Sequence, residues 1–240
     1  MTLAVVTGAT SGIGRAIACA LHDAGHEVVA LGRSADALAE LINIGLRCLQ
    51  VDLSDRTALH AALGDLAPDI LVNNAGVMPP LRPFCESDEG DIDRTIGVNL
   101  TTALAVTRIL APRMRMRGHG HIFFTGSTAG HASFANLAVY GATKAAIGSF
   151  AQTLRLELAP HGVRVTEIVA GRVETALYRD ALPAEDRARM YAGNSAVQPE
   201  DVAAMVIAVL NLPAGVDVAR FDILPVRQAE TGALPPRKAS

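Results

Sequence analysis

The sequence predicts an α/β fold: a doubly wound sheet of seven parallel strands with helices on both faces, in a single domain. Three observations predict it. Short apolar runs recur along the chain, longer stretches of helical spacing separate them, and glycine stands where the first helical stretches stop.

Leu3–Val6 reads as the first strand and Gly12–Ala24 as the helix after it, stopped by Gly25. Val28–Leu31 is the second strand, and a helix over Asp36–Ile44 ends in the same way at Gly45. Strands follow at Leu46–Val51 and Ile70–Val72. A long helical pattern fills Asp91–Arg117, a strand is expected at His121–Thr125, and a second long helix at Tyr140–His161. The last strands are Arg164–Val169 and Phe221–Leu224, and between them 176–195 is polar and uneven in period, which predicts a flap. Residues 1–230 are expected to form one dinucleotide-binding domain, and the tail 231–240 to be poorly ordered.

Of the 240 residues, 50% are hydrophobic and 19% charged, which excludes a disordered or collagen-like chain. A net charge of -3 gives no long-range field for nucleic acid or an anionic membrane. The longest apolar run, Val202–Leu210, is far short of the ~20 residues that span a bilayer. Met1-Thr2-Leu3 carries no basic start of a secretory leader. Cys19, Cys48 and Cys85 are odd in number and widely spaced, so reduced thiols, a cytoplasmic location and no metal site are expected.

The first strand runs directly into Thr7-Gly8-Ala9-Thr10-Ser11-Gly12-Ile13-Gly14 and then into a helix. Glycine is required where backbone turns tightly against a pyrophosphate, and the helix N-terminus then offers unpaired N–H groups and a positive dipole end to that anion. Gly8, Thr10, Ser11, Gly12, Ile13 and Gly14 are therefore cofactor-binding candidates. At the end of the second strand stands Gly32-Arg33, where a cofactor with a free ribose 2′-hydroxyl would be met by a carboxylate. The Arg33 guanidinium suits a 2′-phosphate instead, so NADP(H) is expected over NAD(H); the plainer alternative is a solvated residue at a helix start. Asn73-Asn74-Ala75-Gly76 follows the fourth strand and lets small residues pass beneath a cofactor, or forms a plain Asn/Gly turn.

Tyr140 and Lys144 stand at i and i+4, on one face of a helix. A fixed cation beside a phenol stabilises its phenolate and draws its pKa down toward the working range, which makes it an acid/base for a carbonyl or alcohol oxygen. Alone, such a pair is an ordinary surface contact. Ser127 lies past the fifth strand, at a carboxyl end where ligands of open α/β sheets sit, but Thr125, Thr128 and Ser133 are hydroxyls too and the residues alone do not choose among them. Asn99 interrupts a helical segment, and a functional bend is expected there.

Together, the glycine string, Asn73-Asn74-Ala75-Gly76, Asn99, Ser127 and Tyr140 to Lys144 resemble the short-chain dehydrogenase/reductase family in order and separation, over nearly the whole chain. The resemblance implies a nicotinamide dinucleotide and hydride exchange with a small-molecule alcohol or carbonyl compound. It makes Tyr140 the acid/base, Lys144 its modulator and a ribose ligand, Ser127 the partner of the substrate oxygen, and Asn99 the holder of a relay water. It adds Asp52 and Leu53 near the adenine, Asn74, Ala75 and Gly76 beneath the cofactor, and Val173 and Thr175 near the carboxamide. It also implies a homo-oligomer, usually a tetramer. The family's Pro-Gly after the sixth strand is Ala170-Gly171 here, which leaves the geometry of that loop open.

The stretches Gly120-His121-Ile122, Gly126 to Gly130 and Ile223 to Gln228 look most like the NADP-dependent serine/3-hydroxy acid dehydrogenase branch. Substrates would then be short 3-hydroxy acids such as serine or 3-hydroxyisobutyrate, with Arg172, Arg179 or Arg187 on or beside the flap anchoring the carboxylate. Two alternatives stay open: a reductase of bulkier ketones or aldehydes, with Ala132, Phe134 and Ala176 lining an apolar pocket, and a dinucleotide-binding sensor or scaffold.

Overall fold

The computed structural model describes residues 2–179 and 181–227. Seven strands, β1 (Leu3–Thr7), β2 (Glu27–Gly32), β3 (Arg47–Gln50), β4 (Ile70–Asn73), β5 (Gly120–Thr125), β6 (Val163–Ala170) and β7 (Arg220–Ile223), form one parallel sheet in the order β3-β2-β1-β4-β5-β6-β7. All lie within a residue of their expected bounds, because parallel strands covered on both faces read as near-continuous apolar runs. Among the described residues eight α-helices flank the sheet: α1 (Gly12–Asp23), α2 (Ala35–Asn43), α3 (Arg56–Leu63), α4 (Glu89–Ile96), α5 (Thr102–Arg117), α6 (Ala138–Leu158), α7 (Ala184–Tyr191) and α8 (Pro199–Leu210).

Alternation along each strand divides the core into two layers. Val6, Ala30, Val72 and Phe123 face one way and pack with Ile17 and Leu21 of α1, Leu38 and Leu41 of α2, and Val202 and Val206 of α8. Val5, Val29, Leu71 and Phe124 face the other and pack with Leu59 of α3, Leu110 of α5 and Ile147 of α6. The strand order reverses between β1 and β4, whose residues pair as Val5 with Leu71, so the loops after these strands part and open a crevice at the carboxyl end.

Three elements differ from expectation. The long helix over Asp91–Arg117 is divided by a π-helical turn at Gly97–Thr101, where Thr102 Oγ1 donates to Gly97 O at 3.0 Å; Asn99 sits inside that turn, at the bend expected there. Helices α3 and α8 were not anticipated, although their start signals stand in the chain. Asp55 accepts from Thr57 N and Ala58 N, and Gln198 forms a capping box with Asp201 around Pro199. The flap contains α7 and a 3₁₀ turn at Ala176–Tyr178. The tail 231–240 lies outside the described residues. Among those residues no helix is long and apolar enough to cross a membrane.

Candidate active site

The crevice is a cleft of about 720 Å³ that runs from the glycine loop, past Arg33, to Tyr140 and the flap. Gly8 and Gly12 hold φ of 66° and 52°, in the left-handed region that other residues enter at a cost. A Cβ on Gly8 would stand 2.8 Å from Ala75 Cα, one on Gly12 3.0 Å from Thr175 Cγ2, and one on Gly14 would strike Gly8 O and Asn74 Nδ2. The loops after β1, β4 and β5 are clasped together. Thr7 Oγ1 accepts from Asn74 N and Ala75 N at 3.0 and 3.1 Å, Asn74 Nδ2 donates to Thr7 O and Gly8 O at 3.3 Å, and Thr125 Oγ1 donates to Asn74 Oδ1 at 3.2 Å.

This cradle fits a dinucleotide. Ser11, the N-cap of α1, makes no side-chain cap bond, and the first turn carries no acidic residue, so its N–H groups face the cleft with no competing anion. At the end of β2, a Cβ on Gly32 would strike Thr10, and Gln50 Nε2 donates to Arg33 O at 3.0 Å, which fixes the main chain that carries the guanidinium. Asp52 lines the cleft beside Leu53. Its carboxylate accepts from Ser54 N and Ser54 Oγ at 2.9 and 2.7 Å, and these bonds hold it below its ordinary range.

At the other end, Ser127, Tyr140 and Lys144 line one wall. Ser127 caps a 3₁₀ turn, its Oγ accepting from Ala129 N at 3.2 Å, and its hydroxyl is near enough to the Tyr140 phenol to favour the phenolate. Tyr140 and Lys144 are 6% and 4% exposed, and Lys144 Nζ lies 5.7 Å from the phenol ring centroid while donating to Thr125 O at 2.6 Å. The sequence predicted a lowered tyrosine pKa; the structure corrects this. Burial pushes the phenol above its usual value, with Tyr178 adding to the rise and Ser127 opposing it. Burial also draws Lys144 down to about 8, against the pull of Glu167. Desolvation outweighs the cation because both groups are out of water and the ammonium is spent on a carbonyl.

Asn99 is buried, its Oδ1 accepting from Val77 N at 2.7 Å and its Nδ2 donating to Val77 O at 3.0 Å. The carboxamide thus pins the loop after β4. Val173 and Thr175 line the cleft at the root of the flap, where Val197 N donates to Arg172 O and Glu174 N to Val197 O, each at 2.9 Å. Ala170, in place of the family's proline, ends β6 in register with Ile223, and Gly171 N donates to Ile223 O at 2.9 Å, so sheet pairing holds this turn.

The flap arginines do not behave as expected. Neither Arg172 nor Arg179 lines the cleft, and nor does Arg187. Arg172 Nη1 donates to Met190 O at 3.1 Å and Arg187 Nη1 to Arg179 O at 2.7 Å, so flap carbonyls occupy them. The cleft cations are Arg33, Arg94 and Lys144. Sequence reasoning missed Arg94, Met78 and Tyr178, which also line the cleft. Arg94 lies a turn before the π turn and Tyr178 just beyond Thr175, yet no motif marks either.

Fold and cleft together define a dinucleotide-binding oxidoreductase of the Rossmann class. Residues 2–186 match the family described as short chain dehydrogenase, and the chain belongs to that family. It is 44% identical to an uncharacterized short-chain type dehydrogenase/reductase of Sinorhizobium fredii, across 96% of this chain and 94% of the relative. It is 36% identical to an NADP-dependent 3-hydroxy acid dehydrogenase of Escherichia coli, across 96% and 97%. Among solved structures, the closed form of serine dehydrogenase complexed with NADP⁺ superposes with a TM-score of 0.92 at 36% identity, covering 96% of this chain and 98% of that one.

Proposed function

We propose that the protein interconverts a short 3-hydroxy acid, such as serine or 3-hydroxyisobutyrate, and its carbonyl product, using NADP(H) in preference to NAD(H). The observation that carries this is the meeting of Tyr140, Lys144 and Ser127 in one cleft with the glycine loop and Arg33. The NADP-dependent relatives of like length support the cofactor and the substrate class. Bound NADP(H) supplies or accepts the hydride at its nicotinamide ring.

The chain's residues do the rest. Gly8, Gly12 and Gly14 admit the pyrophosphate to the N-terminus of α1, Arg33 takes the 2′-phosphate, and Asp52 and Leu53 border the adenine. The phenol, raised by burial, holds its proton at neutral pH and donates it from Oη to a substrate carbonyl oxygen as that oxygen gains charge; in the oxidative direction it takes the proton back. Ser127 Oγ hydrogen-bonds the same oxygen and keeps it within reach of Tyr140. Lys144 binds the ribose and favours the phenolate whenever it forms. A single domain over 1–230, a homo-oligomer and a cytoplasmic location, to which three free cysteines are suited, complete the proposal.

One observation favours a second substrate class. With Arg172 and Arg187 bonded to flap carbonyls, the cleft lining includes Met78, Val98, Leu177 and Tyr178, a set that suits a bulkier ketone or aldehyde. The test is NADP⁺ reduction with serine, 3-hydroxypropionate, 3-hydroxyisobutyrate and simple secondary alcohols. Turnover of the acids, with KM raised for them in Arg94→Ala, is expected. Turnover of the alcohols alone moves the assignment to a ketone reductase.

A further inference from the structure

Thr143 is 3% exposed on α6, between Tyr140 and Lys144, and none of the roles above uses it. Its partner across the fold is Asn99 in the π turn. Val77 offers that carboxamide one donor, its N–H, and one acceptor, its carbonyl, so the amide stands one way round, with Oδ1 accepting at 2.7 Å and Nδ2 donating at 3.0 Å. The second proton of Nδ2 goes to Thr143 Oγ1 at 3.4 Å. The hydroxyl has one proton of its own, which it donates to Tyr140 O at 2.7 Å. A hydrogen-bonded chain therefore runs from the loop after β4, through the π turn, to the turn of α6 that carries Tyr140 and Lys144. The same segments close on Gly76, where a Cβ would stand 3.5 Å from Asn99 Oδ1 and 3.8 Å from Lys144 Nζ.

Thr143 also borders an apolar groove between α4 and α6, with Ile92, Ile96 and Leu100. Valine, of the same shape, would serve that groove, so packing does not call for the hydroxyl. A threonine bonded to the preceding turn of its own helix is ordinary, but this one accepts from a second element as well, which fixes α6 against the π turn. We infer, resting on the roles proposed above for Tyr140 and Lys144, that Thr143 is a positioning residue: its hydroxyl ties their turn of α6 to Asn99, and through Asn99 to the loop beneath the cofactor. Without the hydroxyl one Nδ2 proton is left without a partner in a site closed to water, and the hold of Asn99 on Val77 loosens.

The experiment is amide hydrogen exchange of the full chain, which needs neither cofactor nor substrate. In Thr143→Val the amides of Val77 and of residues 141–144 are expected to exchange about tenfold faster than in the wild type, the scale of one buried hydrogen bond. Strand β2, which lies beyond β1 from β4, keeps its rate. Thr143→Ser, which retains the hydroxyl, returns both segments toward wild type. Wild-type exchange at Val77 and at 141–144 in Thr143→Val overturns the inference, and so does a rise that includes β2, since that is a general loss of stability. Should Thr143→Val not fold, Thr143→Ala is read against Thr143→Ser by the same criterion. Kinetics test the consequence with whichever substrate the NADP⁺ assay identifies: Thr143→Val lowers kcat about tenfold and leaves KM for NADP⁺ within about twofold. A wild-type kcat in a protein whose exchange has quickened refutes the positioning role. Failure of the proposed function reads differently: Tyr140→Phe and Lys144→Met then turn over as the wild type does, while the exchange pattern of Thr143→Val still decides the tie to Asn99.

Discussion

The two ends of the cleft are built from different materials. The glycine loop is held by main chain: Gly8, Gly12 and Gly14 leave no room for a Cβ, and Thr7 and Asn74 bond backbone groups of the neighbouring turns. The flap is held by long side chains on carbonyls, with Arg172 on Met190 O, Arg187 on Arg179 O and Leu182 O, Ser195 Oγ on Met190 O and Tyr191 OH on Thr175 O. A backbone-built site is rigid and recognises what all members of a cofactor class share. A site of side chains is cheap to alter, and its contacts at the protein surface have small net worth each. Under the proposed function, the contrast matches cofactor binding to the first end and substrate choice to the second.

The sharpest probe lies where the ends meet. Tyr140→Phe is expected to lower kcat by about 10²–10⁴ while leaving NADPH affinity near wild type, and retention of activity would remove the acid/base from the cleft. Next in size is an effect that should ignore the contrast. His121, near the start of β5 and away from the cleft, stacks on Phe123 and bonds Thr166 at 2.8 Å; burial, then Arg164, lowers its pKa from 6.5 to about 3. The unfolded chain takes up that proton first, so stability is whole above about pH 6.5 and is lost as pH falls toward about 3, by a few kcal/mol at most. Urea unfolding of wild type and His121→Gln across that window checks it, and parallel curves would refute it.

Gly14→Ala breaks the backbone end alone. Its Cβ must displace Gly8 O or Asn74, so a loss of about 1–3 kcal/mol in stability and a larger proportional loss of NADPH affinity are expected by thermal unfolding and fluorescence titration. Arg33→Asp should reverse or level the NADP⁺/NAD⁺ ratio of kcat/KM by roughly tenfold or more, and an unchanged ratio would deny Arg33 its phosphate. Smallest is Arg187→Ala, which frees Arg179 O and Leu182 O. A rise of a few-fold in substrate KM with no change in NADP⁺ affinity would sharpen the division between the two ends.

Much of the fold was legible because its signals are local. Val28–Leu31 and Ile70–Val72 announce themselves as strands by composition, and Gly25 and Gly45 stop helices because each takes up the left-handed conformation just past its helix. Helix α3 escaped because it is short and its cap, Asp55, stands among polar residues, and α8 because its apolar run was weighed only as a membrane span. The π turn at Gly97–Thr101 was half legible: Asn99 signals a bend, but not that its side chain would be spent on Val77.

The sequence by itself determined the sheet, the cradle and the meeting of Tyr140 with Lys144, since each depends on spacing within one segment or on glycine where no other residue fits. Only the tertiary structure decided what those groups experience. It buried the phenol and the ammonium so that desolvation sets the direction in which each is shifted, turned Arg172 and Arg187 onto carbonyls of the flap, and brought Arg94 and Tyr178 to the cleft. Such facts are sums over neighbours far apart in the chain, and burial and long-range partners carry no local sequence signal.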